Sequence, residues 1–300
     1  EQEKMTDELM ADIAAAQTLA RLEDIYRPFK QKRRTRATVA KEKGLEPLAQ
    51  IIFSQSIQDD SFIATAQTYV DEEKGVASAE EAIEGAKDIL AEMVSDDAQA
   101  RQMLRTLFER TALLTSAAAG EEDSVYAMYY EYSEPVAKIP SHRVLAINRG
   151  EKEGFLKVSV DVDEQRAVNG LIHQFLTKKS STDAYFTEAI EDAYKRLIYP
   201  SLEREIRAGL TEKADEQAIK IFGLNLKALL MQPPIKGKVT LGFDPAYRTG
   251  CKIAVVDATG KVLDTTVVYP TKPQNKVEEA KAKLKQLIKK HNVDVISIGN

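Results

Sequence analysis

The chain has 300 residues, of which 43% are hydrophobic and 30% are charged, and its formal net charge is -5 at pH 7. This composition excludes a disordered or collagen-like chain, and the length favours two domains. No apolar run approaches the roughly eighteen residues of a membrane span, so we expect no membrane segment. The single cysteine, Cys251, allows neither an internal disulfide nor a cysteine-based zinc site, so we expect a cytoplasmic protein in a reducing compartment.

Both ends of the chain suggest a piece of a longer protein. The sequence begins with Glu1 rather than Met and carries no signal-peptide pattern. It stops at Asn300, just where a predicted buried strand should lead into a loop. We therefore expect that the chain has been excised from something longer.

Residues 1 to about 230 have mostly helical patterns and are rich in Ala, Glu, Lys and Leu. Apolar residues recur at helical spacing from Met5 to Ala20, Gly44 predicts a helix end, and Pro47 predicts the first turn of the next helix. Ser78 opens a capping box before another helix. The other helices are predicted from Ser95 through Leu114 and over residues 121–132, 164–176, 183–197, 201–208 and 212–230.

One small β element interrupts this helical region. Residues 155–161 alternate between apolar and polar side chains with a period of two, which is typical of a half-buried strand. Residues 142–148, just before it, could form a short helix starting at Pro140 and Ser141 or a partner strand, and we favour the helix.

Pro233 and Pro234 end the helical pattern. Three β-rich runs follow at residues 239–244, 251–257 and 262–269, and the turn at 258–260 joins the last two into a hairpin. An amphipathic helix over 276–291 and a strand over 293–298 come next. This order is the opening half of an RNase H-like α/β domain. We place the boundary near Gly237, which gives a helical region over 1–236 and a truncated α/β domain over 237–300.

A basic segment lies near the start of the chain, with eight Lys and Arg residues and one acid between Arg27 and Lys43. Such a density of positive charge in an acidic chain suits the phosphates of a nucleic acid, and arginine can donate two hydrogen bonds to phosphate oxygens. A solvated loop that braces acidic helices is the alternative, and a protein-docking patch is a third. The candidate nucleic-acid-binding residues are Lys30, Lys32, Arg33, Arg34 and Arg36.

Asp244 ends the first strand of the predicted α/β domain, where RNase H-like nucleases hold a metal-binding carboxylate. Two-metal cleavage needs several converging carboxylates, so one aspartate is insufficient, and the alternative is that Asp244 caps the turn over 245–250. Asn300 follows the fourth strand, where RuvC-type resolvases place a second acidic ligand. A neutral amide is a poorer magnesium ligand than a carboxylate, which weakens the nuclease interpretation.

The remaining polar motifs predict neither a metal nor a cofactor site. The charged stretch over 148–154 lacks the context of a phosphate-binding loop, and we interpret it as a structural turn. The histidines, His142, His173 and His291, are scattered without ligand spacing.

Several long, ungapped motifs resemble one known family. Residues 22–38 (LEDIYRPFKQKRRTRAT) and 42–48 (EKGLEPL) look like the N-terminal region of the bacterial Tex transcription accessory proteins. The motifs over 148–154 (NRGEKEG), 241–252 (LGFDPAYRTGCK), 257–260 (DATG) and 298–300 (IGN) fit the same family.

The resemblance implies a helical N-terminal region, then a YqgF-type RNase H-like domain, helix-hairpin-helix modules and an OB-type RNA-binding domain. This chain would cover the first region and the opening of the second. It also implies a non-catalytic scaffold in transcription that binds nucleic acid, RNA rather than DNA, weakly and without sequence preference. RNA polymerase or the ribosome is a possible protein partner. Asp244 then matches the family's first-strand aspartate and is a candidate remnant of a lost catalytic site. The alternative is a metal-dependent nuclease that uses Asp244.

Overall fold

The computed structural model describes residues 6–30, 33–121, 123–233 and 235–299. The chain divides into two compact units, Glu1–Phe222 and Gly223–Asn300. This division falls inside a long helix, and the domain boundary near Gly237 stays a prediction. In the described ranges, no helix combines the length and the apolar character that a membrane crossing requires.

Among the described residues of the first unit, seven α-helices precede the sheet. They are α1 (Asp7–Ala15), α2 (Leu19–Tyr26), α3 (Arg36–Glu42), α4 (Glu46–Ser54), α5 (Phe62–Gln67), α6 (Ala79–Asp96) and α7 (Ala98–Thr111). Gly44, at φ 85°, follows α3, and Pro47 lies in the first turn of α4, as predicted. The predicted cap at Ser78 is also confirmed, because Ser78 Oγ accepts from Glu81 N. The returning bond of the capping box is shifted by one residue, since Glu81 Oε2 accepts from Ala77 N rather than from Ser78 N.

A three-stranded antiparallel sheet follows α7, with the order β2-β1-β3. Its strands are β1 (Leu113–Ala118), β2 (Glu131–Pro135) and β3 (Leu156–Asp161). The strand predicted over 155–161 is confirmed as β3. The helix predicted from Ser95 is confirmed as α7, but its predicted end at Leu114 is wrong, since Ala112 is extended and Leu114 pairs with Glu134 and Val160. The helix predicted over 121–132 is also wrong, because the described residues between β1 and β2 form one 3-10 turn, Ala127–Tyr129, and no α-helix.

The segment between β2 and β3 is helical, as we favoured. Helix α8 (Ser141–Lys152) includes most of the stretch over 148–154, so the prediction of an isolated turn there is wrong. Gly154 leaves the helix at φ 83°, a backbone conformation that glycine adopts without a steric penalty.

The first unit ends with α9 (Glu164–Phe175), α10 (Asp183–Asp192), a π-helical segment (Ala193–Ile198) and α11 (Tyr199–Leu230). The two helices predicted over 201–208 and 212–230 are therefore one helix of 32 residues. Gly209 does not interrupt it, because a lone glycine only weakens a helix. The core of this unit joins the helices to the sheet, and its largest fully buried apolar side chains include Phe108, Phe186, Leu48 and Leu90.

Beyond the end of α11, the described residues of the second unit form one sheet and one helix. Its elements are β4 (Thr240–Asp244), β5 (Cys251–Val256), β6 (Val262–Val268), α12 (Val277–His291) and β7 (Val295–Ile298). The strand order is β6-β5-β4-β7, with β7 parallel to β4 and the other pairs antiparallel. A core that includes Leu241, Val255 and Leu287 joins the sheet to α12. This topology confirms the predicted opening of an RNase H-like domain.

Candidate nucleic-acid interface

The basic segment connects α2 to α3 on the surface of the first unit. It begins at the 3-10 turn Arg27–Phe29 and continues into α3, where Thr35 Oγ1 accepts a hydrogen bond from Thr38 N at 3.0 Å and so caps the helix. Lys30, Arg33, Arg34 and Arg36 are all exposed. Lys32 lies outside the described residues.

Acidic side chains compensate part of this positive charge. Lys30 and Arg33 line a groove together with Arg27 and three acids, Glu23, Glu92 and Asp96. Arg34 Nη2 lies 2.8 Å from Glu42 Oε2 in an ion pair whose side chains are both more than half exposed. Such exposed pairs are weak, so Arg34 can exchange this partner for a phosphate at little cost. This geometry suits both the bracing of acidic helices and the binding of phosphates.

A buried charge network, which the sequence did not predict, holds α2 in place behind this segment. Asp24 Oδ1 accepts from Arg101 Nε at 2.7 Å, and Asp24 Oδ2 accepts from Arg105 Nη2 at 2.8 Å. Arg101 Nη2 also donates to Ser201 Oγ at 3.1 Å, and Arg105 Nε pairs with Glu205. The network therefore ties α2 to α7 and α11.

Arg27, the first residue of the basic region, approaches the edge of the same network. Its Nη2 donates to Ser201 Oγ at 3.4 Å. Partial burial lowers the pKa of Arg27, and the positive charge of Arg101 adds to that effect, while the neighbouring acids Asp96 and Asp24 oppose it. Because the buried network fixes α2, it also sets where the basic segment starts.

Asp244 lies exposed at the end of β4, beside the end of the parallel strand β7. A Cβ placed on Gly299 would lie 3.6 Å from Asp244 Oδ1, so the two strand ends are close. Within residues 235–299 no hydrogen bond from the turn over 245–250 reaches this carboxylate, so turn capping does not explain Asp244. Asn300 lies outside the described residues. Over the described part of the chain, no three His, Cys, Asp or Glu side chains gather closely enough to hold a metal ion.

Asp257 instead caps the hairpin turn of this sheet. Its Oδ1 accepts from Thr259 N at 2.8 Å, from Thr259 Oγ1 at 2.7 Å and from Lys261 N at 3.0 Å. The hydrogen bond from the Thr259 side chain is the main cause of a lowered pKa at Asp257. This aspartate therefore has a structural role and not that of a metal ligand.

Two family models match the chain. The Tex central region-like model matches residues 60–222, and the Tex protein YqgF-like domain matches residues 238–300. The chain belongs to the Tex family. Both matches agree with the resemblance in the sequence motifs and with the RNase H-like topology of the second unit.

Curated relatives support this assignment along the whole chain. The chain is 52% identical to the uncharacterized protein YdcI of Bacillus subtilis and 38% identical to the transcriptional accessory protein Tex of Neisseria gonorrhoeae. Both alignments cover 100% of this chain, but only 42% and 40% of the relatives. The human S1 RNA-binding domain-containing protein 1 is 30% identical over 99% of this chain and 31% of its own length. The chain thus spans about two fifths or less of the relatives it matches.

Proposed function

We propose that this chain is the scaffold portion of a transcription accessory protein that associates with nucleic acid, RNA in preference to DNA, and performs no reaction. The observation that carries the proposal is membership of the Tex family along both units, together with the relatives named for transcription and for RNA binding. In this account the helices support whatever follows in the whole protein, and the RNase H-like unit supplies a surface. We expect it to act in the cytoplasm.

The basic segment is the contact that we propose for this chain. Lys30, Arg33 and Arg34 are exposed on the connection between α2 and α3, and Arg36 is exposed in the first turn of α3. Both ends of this connection are fixed, by the buried network at α2 and by the Thr35 cap at α3. Exposed arginines on a short, anchored connection suit phosphates without reading a base sequence. Since the acids nearby reduce the local potential, we expect weak binding that falls steeply with salt.

The test measures the affinity of the 300-residue chain for a fluorescein-labelled single-stranded RNA as a function of salt. We expect the combined variant Arg33→Ala, Arg34→Ala and Arg36→Ala to bind more weakly and to reduce the slope of log K against log salt by about 0.7 for each phosphate that it no longer neutralises. The matched control is Lys283→Ala, Lys285→Ala and Lys289→Ala, which removes equal charge from the exposed face of α12. Unchanged affinity and slope in the arginine variant would defeat the proposed role.

One observation favours a second candidate, a metal-dependent nuclease. The Asp244 carboxylate lies at the adjoining ends of β4 and β7, where resolvase-type enzymes of this fold bind metal ions. No described residue donates a hydrogen bond to this carboxylate. Magnesium-dependent cleavage of branched DNA or RNA by the full-length protein, abolished by Asp244→Asn, would establish that enzyme. Intact substrate under the same conditions supports the scaffold.

RNA polymerase or the ribosome is the protein partner that we propose for the whole protein. A pull-down by the whole protein at low salt, with and without ribonuclease treatment, separates direct docking from RNA-mediated retention. If ribonuclease treatment removes RNA polymerase and the ribosome from the pull-down, neither docks directly, and nucleic acid is the only partner that this experiment supports.

A further inference from the structure

A second surface of the first unit, distant in sequence from the basic segment, has the features of a docking groove. Helices α7 and α9 lie side by side and enclose a groove of about 660 Å³. Its lining residues are Met103, Thr106, Leu107, Arg110, Thr111, Asp163, Gln165, Arg166, Asn169, Gly170 and His173. The two helices thus present one face each to a ligand.

The floor of this groove is apolar and adaptable. Met103 and Leu107 from α7 and Gly170 from α9 line it, and all three are partly accessible. A Cβ on Gly170 would lie 3.1 Å from Met103 Sδ, so the glycine allows the thioether to lie against the backbone of α9. Unbranched methionine side chains change shape easily, which suits a surface that receives an apolar side chain from a partner.

The rim of the groove is positively charged. Arg110 and Arg166 are exposed, and no ion pair within the described ranges involves either of them. The one acid of the lining, Asp163, already accepts a hydrogen bond from Arg166 N at 2.9 Å as the cap of α9. In the described part of the chain, therefore, neither guanidinium group lies within ion-pair distance of a carboxylate, and Asp163 is the one acid that shares the groove with them.

Two amide side chains on α9, Gln165 and Asn169, add hydrogen-bonding capacity to the groove. Gln165 Nε2 donates to Asn169 Oδ1 at 3.0 Å, which fixes the orientation of both amides. No other hydrogen bond within the described residues involves Gln165 Oε1 or Asn169 Nδ2. One acceptor and one donor are thus available for the backbone of an extended ligand.

We propose that this groove binds an acidic peptide segment of a partner protein, with one large aliphatic side chain on the floor and carboxylates on Arg110 and Arg166. Complementary charge selects the acidic partner, and paired guanidinium–carboxylate contacts orient it. The lining contains no Phe, Tyr or Trp ring on which bases could stack, which favours a peptide over single-stranded nucleic acid. This partner is of a different class from the nucleic acid proposed for the basic segment.

The test selects ligands from a displayed library of random twelve-residue peptides against the 300-residue chain. We expect enriched peptides to combine Asp or Glu with Leu, Ile or Met, and to lose at least about tenfold in affinity for the variant Arg110→Glu, Arg166→Glu. The control variant Lys138→Glu, Lys157→Glu makes the same change of charge at exposed residues outside the groove and should bind as the wild type does.

Methyl NMR locates the bound peptide. When the chain is labelled with 13C-methyl methionine, it gives at most six methionine methyl signals. The signal that disappears in the variant Met103→Leu is the one from Met103 on the floor of the groove. The enriched peptide should move the Met103 signal. The proposal is overturned if no peptide is enriched on the wild-type chain relative to the Arg110→Glu, Arg166→Glu variant. It is also overturned if the enriched peptide leaves the Met103 signal in place, or if only a single-stranded oligonucleotide moves that signal.

Discussion

Asp24→Asn tests whether the buried charge network sets the stability of the first unit. The side chains of Asp24, Arg101 and Arg105 are 3%, 1% and 8% exposed, so water cannot replace a missing partner. The amide keeps the shape of the carboxylate but removes the negative charge between two guanidinium groups. Breaking a buried pair typically costs about 3–5 kcal/mol.

The structure places the expected cost at the lower end of that range. Glu205 remains paired with Arg105, and Glu205 Oε2 lies 3.7 Å from Arg101 Nη2, so both arginines keep one carboxylate nearby. Glu205 is 32% exposed and therefore compensates only in part. We expect Asp24→Asn to reduce the free energy of unfolding of the first unit by about 3 kcal/mol.

The assay is urea unfolding at pH 7, followed by far-UV circular dichroism and by hydrogen exchange at the amides of α7. The exchange measurement assigns the loss to the first unit. Glu42→Gln, which breaks the exposed pair with Arg34, is the control and should leave the unfolding midpoint unchanged. A loss below about 1 kcal/mol for Asp24→Asn would refute the reasoning, because it would mean that the network contributes no more than a surface pair.

Three further predictions concern single side chains. Gly250→Ala should destabilise the second unit by at least about 3 kcal/mol in urea unfolding, because Gly250 has φ 79° and a Cβ there would lie 2.5 Å from Tyr269 Cε1. The control Gly260→Ala, at φ 89° with open space around the added Cβ, should cost only about 1 kcal/mol. Equal losses in the two variants would contradict this prediction. The Lys290 and His291 side chains lower the pKa of Asp264 to about 2. Its stabilising effect should therefore be complete above about pH 4 and disappear as the pH falls through about 2, and Asp264→Asn should flatten that acid dependence of the unfolding midpoint. Ser78→Ala should cost about 1 kcal/mol in thermal unfolding by removing the cap of α6, whereas Ser54→Ala, at the end of α4, should cost less.

The sequence predicted those elements whose signals are local. The caps at Gly44 and Ser78, the period-two strand β3 and every element of the second unit depend on turn chemistry and side-chain alternation within a few residues. The failures lie where tertiary contacts decide. Strand β1 (LLTSAA) has no clear alternation, and strand β2 (EYSEP) is short and mostly polar. The sequence pattern of neither strand therefore distinguishes it from the helices around it.

The candidate site shows the same limit. The basic segment was visible as a local concentration of charge, whereas Asp24 lies 77 positions from Arg101, and only folding brings the two together. Charged residues at Asp24, Arg101 and Arg105 on otherwise apolar helix faces were the one available signal. The groove between α7 and α9 left no local trace, because its lining comes from two helices that are separated in sequence by a complete sheet.

Salt-dependent RNA binding with a check of RNA integrity tests the central claim most directly. The account predicts that the chain binds single-stranded RNA with an affinity that falls with salt, and that the combined Arg33, Arg34 and Arg36 variant has a reduced slope. It also predicts that the RNA remains intact with magnesium present. Identical slopes for wild type and variant, or RNA cleavage that Asp244→Asn abolishes, would contradict the account.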